Sequence, residues 1–338
     1  MFRKIIFIAL GCTLPLLGEV ENSILPLMEQ LQIQDLQGKV SLEHRQEMAK
    51  ICCFRRQALK IMSFNMLFNV PCSEEQLEPE NQWANRCPRL IEYLDYANVD
   101  VIGSQELQKN QLDSILCAMK NRYGFYGVGV QDQKDKGDIP GIFYRKERLE
   151  LLEGKTYYFS ETPTEVSAGP YKTKNTFTVC IFHDLLTDQI FQVVNTHLAF
   201  GNIERRHYEA QMLKAYLEKQ DQTVPLIITG DFNTFPMRQE LLGLPFYDGD
   251  KVVSTIESGG VEDSARHSIF GHFGPIASTN FCEETKKTFS SLGTPGVILD
   301  HVFVNGRVRI LSHGTDPAKV NGFWPSDHFP VIVECLLD

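Results

Sequence analysis

The 338-residue chain predicts an α/β fold, and three observations carry that expectation. From Ala58 onward, apolar residues recur in short runs of strand length. Two segments between them place apolar residues at helical spacing, and polar residues interrupt the apolar runs at their ends. A hydrophobic fraction of 43%, with 24 glycines and 16 prolines, is ordinary for a folded chain and sets aside disorder and fibrous repeats. No internal apolar run approaches the roughly 20 residues that a membrane span needs.

Taken in order, Met1-Phe2-Arg3-Lys4 precedes the apolar stretch Ile5 to Leu17, the layout of a signal peptide over residues 1–18. An exported protein, periplasmic or secreted, is therefore expected. Lipoprotein anchoring through Cys12 in Ala9-Leu10-Gly11-Cys12 is the lesser alternative. Residues 19–57 form a polar, partly helical lead-in, with Ser41-Leu42-Glu43-His44 as a helix N-cap region. Texture changes at Ala58, and residues 58–338 read as one domain of short strands alternating with turns and a few helices. Strand patterns follow at Ala58 to Asn65, Val99 to Ser104, Gly141 to Tyr144, Phe177 to Phe182, Ile190 to Thr196, Pro225 to Gly230, Leu299 to Val304 and Phe329 to Leu336. Helices are marked by Leu112, Ile115, Leu116 and Met119, and by Ile203, Ala210, Leu213 and Leu217 behind a cap at Asn202. Weak periodicity from Leu241 to Phe289 predicts a long surface excursion near the site.

Charge narrows the function classes. Lys and Arg number 33 against 43 Asp and Glu, a net charge of −10, and loss of residues 1–18 would take Arg3 and Lys4 and no acid. Coating long nucleic acid needs a basic surface that releases counterions, so that mode is disfavoured. Phosphate chemistry through bound cations is not. The nine cysteines form no Cys-x-x-Cys or zinc spacing, and those inside apolar patterns are expected to be free thiols without a catalytic role.

The polar strand ends are the informative feature. They are Asn65, Glu106, Asn195-Thr196-His197, Gly230-Asp231-Phe232-Asn233, Leu299-Asp300-His301 and Ser326-Asp327-His328. Each alone has a bland explanation as a turn, a cap or a solvated acid. Together they supply carboxylates, amides and imidazoles without a nucleophilic Ser or Cys, an inventory suited to a hard divalent cation and to proton transfer. Alternation points His301 away from its neighbour Asp300, to a structural place.

In this order the clusters closely resemble the endonuclease/exonuclease/phosphatase superfamily of deoxyribonuclease-like metal-dependent phosphoesterases, over about Leu59 to Leu336. Trp83-x-x-Arg86 before the first helix and Gly141-Ile142-Phe143-Tyr144-Arg145-Lys146 resemble a bacterial branch similar to the deadenylase-like nucleases. The Tyr-Ser-Gly segment of the abasic-site repair branch is not evident. The resemblance implies a four-layer sandwich of two mainly antiparallel β-sheets flanked by helices, with the site at strand ends. It implies Glu106 as principal ligand of Mg²⁺ or Mn²⁺, with Asn65 and Asp327 completing an oxygen site. Asp300 would orient His328, and His328 would touch the phosphate or activate water. Asp231 is the alternative for positioning water, Asn233 would donate to the phosphate, and His197 would be a general acid or second phosphate donor. Arg86 and Arg145 are the candidate phosphate contacts.

The implied reaction is in-line attack of water on a phosphate ester, without a covalent intermediate. A nuclease acting on DNA or RNA is the first expectation. The alternatives are a lipid phosphoesterase, sphingomyelinase-like or inositol-phosphatase-like, and a non-catalytic binding module on the same fold. A lipid or membrane surface calls for exposed aromatics beside the cleft, for which Phe270, Phe273, Phe281 and Phe289 are candidates. No protein partner is inferred.

Overall fold

Alternation along the first strand sorts its side chains between two environments. Leu59 and Ile61 face a core between two sheets, while Met62 and Phe64 face helices. The structure is a computed structural model and describes residues 57–69, 79–234, 251–279 and 298–338. The expected signal peptide, Cys12, the lead-in up to residue 56, Phe281 and Phe289 lie outside the described residues.

In chain order the elements are β1 (Leu59–Asn65), α1 (Trp83–Ala97), β2 (Val101–Gln105), α2 (Lys109–Met119), β3 (Tyr123–Tyr126), β4 (Gly141–Arg145), β5 (Leu149–Tyr158), β6 (Thr176–Asp184) and β7 (Gln189–His197). They continue with α3 (Ile203–Leu217), β8 (Leu226–Asp231), α4 (Lys251–Glu257), β9 (Glu262–Asp263), β10 (His272–Phe273), β11 (Asp300–Val304), β12 (Val308–Thr315) and β13 (Val331–Leu337). One sheet has the order β10-β12-β13-β1-β2-β4-β3 and the other β5-β6-β7-β8-β11-β9. Antiparallel pairs predominate, with parallel pairing at β1–β2, β7–β8 and β10–β12. None of the described helices is long and apolar enough to cross a membrane.

Three buried clusters define four layers. Leu59, Ile61, Val101 and Ile142 meet Phe182, Phe191, Val193 and Ile227 between the sheets. Leu90, Leu94, Leu112 and Ile115 of α1 and α2 cover the outer face of the first sheet. Ala210, Leu213, Leu217, Val252 and Ile256 of α3 and α4 cover the second. Each such side chain contributes about 1.5–3 kcal/mol when removed from water, so the layers follow from two faces per sheet that both need cover. At α3 the expected cap is present, the Asn202 side chain accepting from Arg205 N at 2.9 Å.

The inter-sheet faces turn polar at one end. Leu59, Ile61, Ser63 and Asn65 share a face of β1, as do Val101, Gly103 and Gln105 on β2. Val193, Asn195 and His197 do so on β7, and Ile227, Thr229 and Asp231 on β8. Buried amides must find partners there. Asn195 uses its whole amide: Oδ1 accepts from Gln105 Nε2 (2.7 Å) and Thr229 Oγ1 (3.0 Å), and Nδ2 donates to the carbonyls of Ser104 (2.8 Å) and Gly141 (3.1 Å). The sheets come so close at this seam that a Cβ on Gly103 would overlap Thr229 Oγ1 and Asn195 Oδ1.

Several expectations are corrected. Strands β5 and β12 escape the alternation rule because each carries a register shift, between Leu151 and Glu153 and between Ile310 and Ser312. Strand β13 starts at Val331, after Phe329 and Pro330, since proline has no N–H for the ladder. Trp83 and Arg86 lie within the first turns of α1, not ahead of it. The stretch expected as a surface excursion includes α4, whose Val252, Val253 and Ile256 are buried in the core. Cys87, Cys117, Cys180 and Cys335 are free thiols, as expected.

Gly103→Ala should destabilise the chain by about 1–3 kcal/mol, the range for overpacking a filled interior. The check is the urea midpoint, which should fall at unchanged m-value.

Candidate active site

The polar strand ends converge on Asp231. Its Oδ2 accepts from Asn65 Nδ2 at 2.9 Å, across the two sheets, and its Oδ1 accepts from Asn233 N at 2.9 Å. Pairing of Asp300 with Asp231 on β11–β8, and of His197 with Asp231 on β7–β8, brings those side chains together by register alone.

Two imidazoles face the same carboxylate. His197 Nε2 stands 3.7 Å and His328 Nε2 3.9 Å from Asp231 Oδ2. Each is backed by an acid at Nδ1: Asp138 Oδ2 at 3.2 Å for His197 and Asp300 Oδ2 at 2.7 Å for His328. Burial alone would lower both imidazole pKa values, but the acids outweigh it. His197 is raised to about 10 by Asp138, Asp231 and Glu106. His328 is held well above the ordinary histidine range by Asp300, Asp231 and Asp327. Burial pushes the Asp300 carboxyl up, with His328 opposing it.

Glu106 lies just past β2 in the left-handed region at φ 65°, as do Leu67 (53°) and Asn233 (51°). Such backbone costs about 1–3 kcal/mol per residue and collects at functional sites. Glu106 Oε2 accepts from Phe68 N at 3.0 Å. Desolvation raises the Glu106 carboxyl above the ordinary range and Asp327 adds to the rise, against His197, Asn65 and His328. Asp327 accepts from Ser326 Oγ at 3.2 Å, and Ser326 Oγ also donates to the Asn65 carbonyl at 2.7 Å, tying the two loops.

The donor set suits a divalent cation. Ligand atoms of Glu106, His197 and Asp231 lie within 4.8 Å of one another, and so do those of Asp231, Asp300 and His328. In each group the imidazole is held charged by neighbouring acids, so the carboxylate oxygens, Glu106 foremost, are the ones that would take a cation, with the Asn65 amide beside them. A buried acid whose charge is disfavoured by burial and a neighbouring acid is what a cation would relieve. Of the expected ligands, Asp327 stands outside both groups.

The expected arginine contacts are corrected. Arg86 is buried, and its guanidinium donates to the carbonyls of Met66 (2.5 Å), Leu67 (2.7 Å), Pro325 (3.2 Å) and Asn81 (3.3 Å). It joins the loop after Asn65 to the loop before Asp327, and burial lowers its pKa while nearby Asp327 and Glu106 oppose the fall. Arg145 lies at the other end of the sheet, beside the start of β2, engaged with Asp100 (3.2 Å), Asn98 (2.7 Å) and the Val99 carbonyl (3.1 Å). The Asn233 amide donates to the Leu198 carbonyl at 2.8 Å. His301 takes Asp263 at 2.8 Å and the Thr234 carbonyl at 3.2 Å on the opposite face. Sequence reasoning missed Asp138, which sits in the loop Asp132-Gln133-Lys134-Asp135-Lys136-Gly137-Asp138, where nothing separates one acid from the other two.

Arg86→Ala should cost roughly 3 kcal/mol or more, because several carbonyls lose a charged donor at once. A lowered unfolding midpoint is expected; an unchanged midpoint with a raised KM would restore the phosphate-contact role.

Comparisons with known proteins agree with this geometry. The model of the Endonuclease/Exonuclease/phosphatase family matches residues 62–328. No curated protein sequence matches the chain. Solved structures similar in fold include an endonuclease/exonuclease/phosphatase from Bacteroides vulgatus, at 24% identity and TM-score 0.69, covering 83% of this chain and 99% of that one. A mannosyl-6-phosphatase from Bacteroides thetaiotaomicron VPI-5482 shows 24% identity and TM-score 0.67, covering 82% and 100%. TDP2 from D. rerio, complexed with single-strand DNA product, shows 17% identity and TM-score 0.58, covering 82% and 99%. The chain thus belongs to the endonuclease/exonuclease/phosphatase family, whose members are divalent-metal-dependent phosphoesterases and nucleases.

Proposed function

We propose that this chain hydrolyses phosphate esters by in-line attack of water, with Mg²⁺ or Mn²⁺ as cofactor. One observation carries the proposal: two acid-backed imidazoles aim Nε2 at a single oxygen of Asp231 from 3.7 and 3.9 Å, next to Glu106. Glu106 and Asn65 would hold the cation, with Asp327 acting through water, and when bound it would withdraw charge from a phosphate oxygen.

The remaining roles belong to the side chains. Because both imidazoles are held charged, they act as proton donors, and Asp231 is the group left to position water and accept its proton. His328 donates Nε2–H to a phosphate oxygen while Asp300 fixes its tautomer. His197 protonates the leaving group, backed by Asp138. Asn233 steadies Asp231 through its backbone N–H.

Substrate size follows from charge. The net charge is −10, and Arg86 and Arg145 are engaged within the protein. A long polyanion needs many cationic contacts, so the reading favours a small phosphate ester, such as a sugar phosphate, over DNA or RNA. Lipid phosphoesters are the second reading, supported by the exposed Ile269, Phe270, Phe273 and Ile276 on the segment that runs toward the site.

Glu106→Gln and His328→Ala should each lower kcat on an activated phosphate ester by about 10²–10⁴-fold with the far-UV circular dichroism of the fold retained, and His328→Ala, which leaves the buried Asp300 unpaired, should also lower the melting temperature. Turnover retained in either variant would refute the assignment. Chelation by EDTA should stop the reaction and Mg²⁺ or Mn²⁺ restore it; indifference to chelator contradicts the cofactor. A panel of sugar phosphates, single- and double-stranded DNA, RNA, sphingomyelin and inositol phosphates separates the substrate classes. Hydrolysis of nucleic acid without hydrolysis of small esters would overturn the preference for a small phosphate ester.

A further inference from the structure

The segment after β10 reaches the site from the edge of the first sheet. At its start His272 Nδ1 lies 2.9 Å from His313 Nδ1 on β12, and His272 Nε2 donates to the Pro275 carbonyl at 2.9 Å. At its end Ser278 is fully buried. Ser278 Oγ accepts from Leu299 N (2.9 Å) and Asp300 N (3.1 Å), and its carbonyl accepts from Phe329 N at 2.7 Å. Thr279 forms an antiparallel bridge with His328. One residue therefore grips the start of β11, which carries Asp300, and the loop that carries His328.

The hydroxyl chemistry is specific. Two backbone donors, Leu299 N and Asp300 N, occupy the lone pairs of Ser278 Oγ. Oδ2 of the Asp300 carboxylate already takes His328. Among the described residues the buried Oδ1 has no hydrogen-bond partner. Loss of the hydroxyl in Ser278→Ala would keep the chain's course but leave two buried N–H groups beside Asp300 unpaired.

We infer that Ser278 is a positioning residue that holds the Asp300–His328 pair in register, its hydroxyl oxygen taking the backbone N–H groups of Leu299 and Asp300 and its carbonyl that of Phe329 beside His328. This rests on the phosphoesterase reading, in which that pair serves the phosphate. Ser278 itself touches no substrate.

The test measures kcat, KM and the half-activating Mn²⁺ concentration with an activated phosphate ester, together with the downfield ¹H resonance of the His328 ring N–H, identified by its loss in His328→Ala. Ser278→Ala should lower kcat 10- to 100-fold with KM and the Mn²⁺ midpoint within twofold, and should shift or broaden that resonance. Ser278→Cys, which fills the same space with a weak acceptor, should do likewise, so a folding failure of the alanine variant leaves the test intact. Ser278→Thr, which keeps the hydroxyl, should restore most of the rate. In an Asp300→Asn background, Ser278→Ala should cost less than a further twofold. A folded variant with wild-type kcat and an unmoved resonance overturns the inference, as does an undiminished loss in the Asp300→Asn background, since mere structural damage would persist there. Inertness of the unmodified chain on every ester would instead defeat the phosphoesterase reading, and the resonance would still decide the role of Ser278.

Discussion

The site depends on a seam where polar side chains are buried between two β-sheets and must satisfy one another. Apolar residues hold the sheets together along most of their facing surfaces. At one end Ser63, Gln105, Asn195, Thr229, Asn65 and Asp231 replace them, all buried. A buried amide without partners costs more than its bonds return when made, and Asn195 meets that condition by using every donor and acceptor it has. Gln105 Oε1 is the exception on this floor, buried without a hydrogen-bond partner among the described residues. What remains is directed into the cleft: the Asp231 carboxylate, the Nε2 edges of two imidazoles, and Glu106.

Electrostatics divides the labour in the same way. Acids at the back, Asp138 and Asp300, serve the imidazoles and so are not available as ligands. Acids at the front, Glu106 and Asp231, crowd one another and the imidazoles within ligand distance. Burial disfavours charge on Glu106, and a neighbouring Asp327 adds to that penalty. A cation at the front and imidazolium at the back are the two solutions to the same excess of negative charge, which is why the acidic composition of the chain is compatible with chemistry on an anion.

The sequence made the strands and their polar ends legible because both obey local rules. Period-two alternation places Asn65, Gln105, Asn195, Asp231 and Asp300 on one face, and the same rule sends His301 to the other, where Asp263 receives it. Where a bulge breaks the period, in β5 and β12, the rule fails. Partner identity is a different kind of information. That Asp138 serves His197, or that Arg86 spends its donors on carbonyls near residues 66 and 325, depends on contacts spanning 59 and 239 residues. An arginine looks the same in sequence whether it meets a phosphate or a carbonyl. The difference lies in burial, and burial is a property of the folded layers.

Strain and support meet at the same place. Leu67, Glu106 and Asn233 adopt left-handed backbone within the site, conformations that persist only where surrounding structure over-determines them. Each has a restraint of that kind. Arg86 holds the Leu67 carbonyl, Phe68 N holds the Glu106 carboxylate, and Asp231 holds Asn233 N. Those restraints run through residues proposed to bind the cation or move protons, so scaffold and reactive groups form one network. A substitution that relaxes the backbone at Glu106 therefore displaces a ligand as well, and gains in local stability at these three positions should come at the expense of turnover.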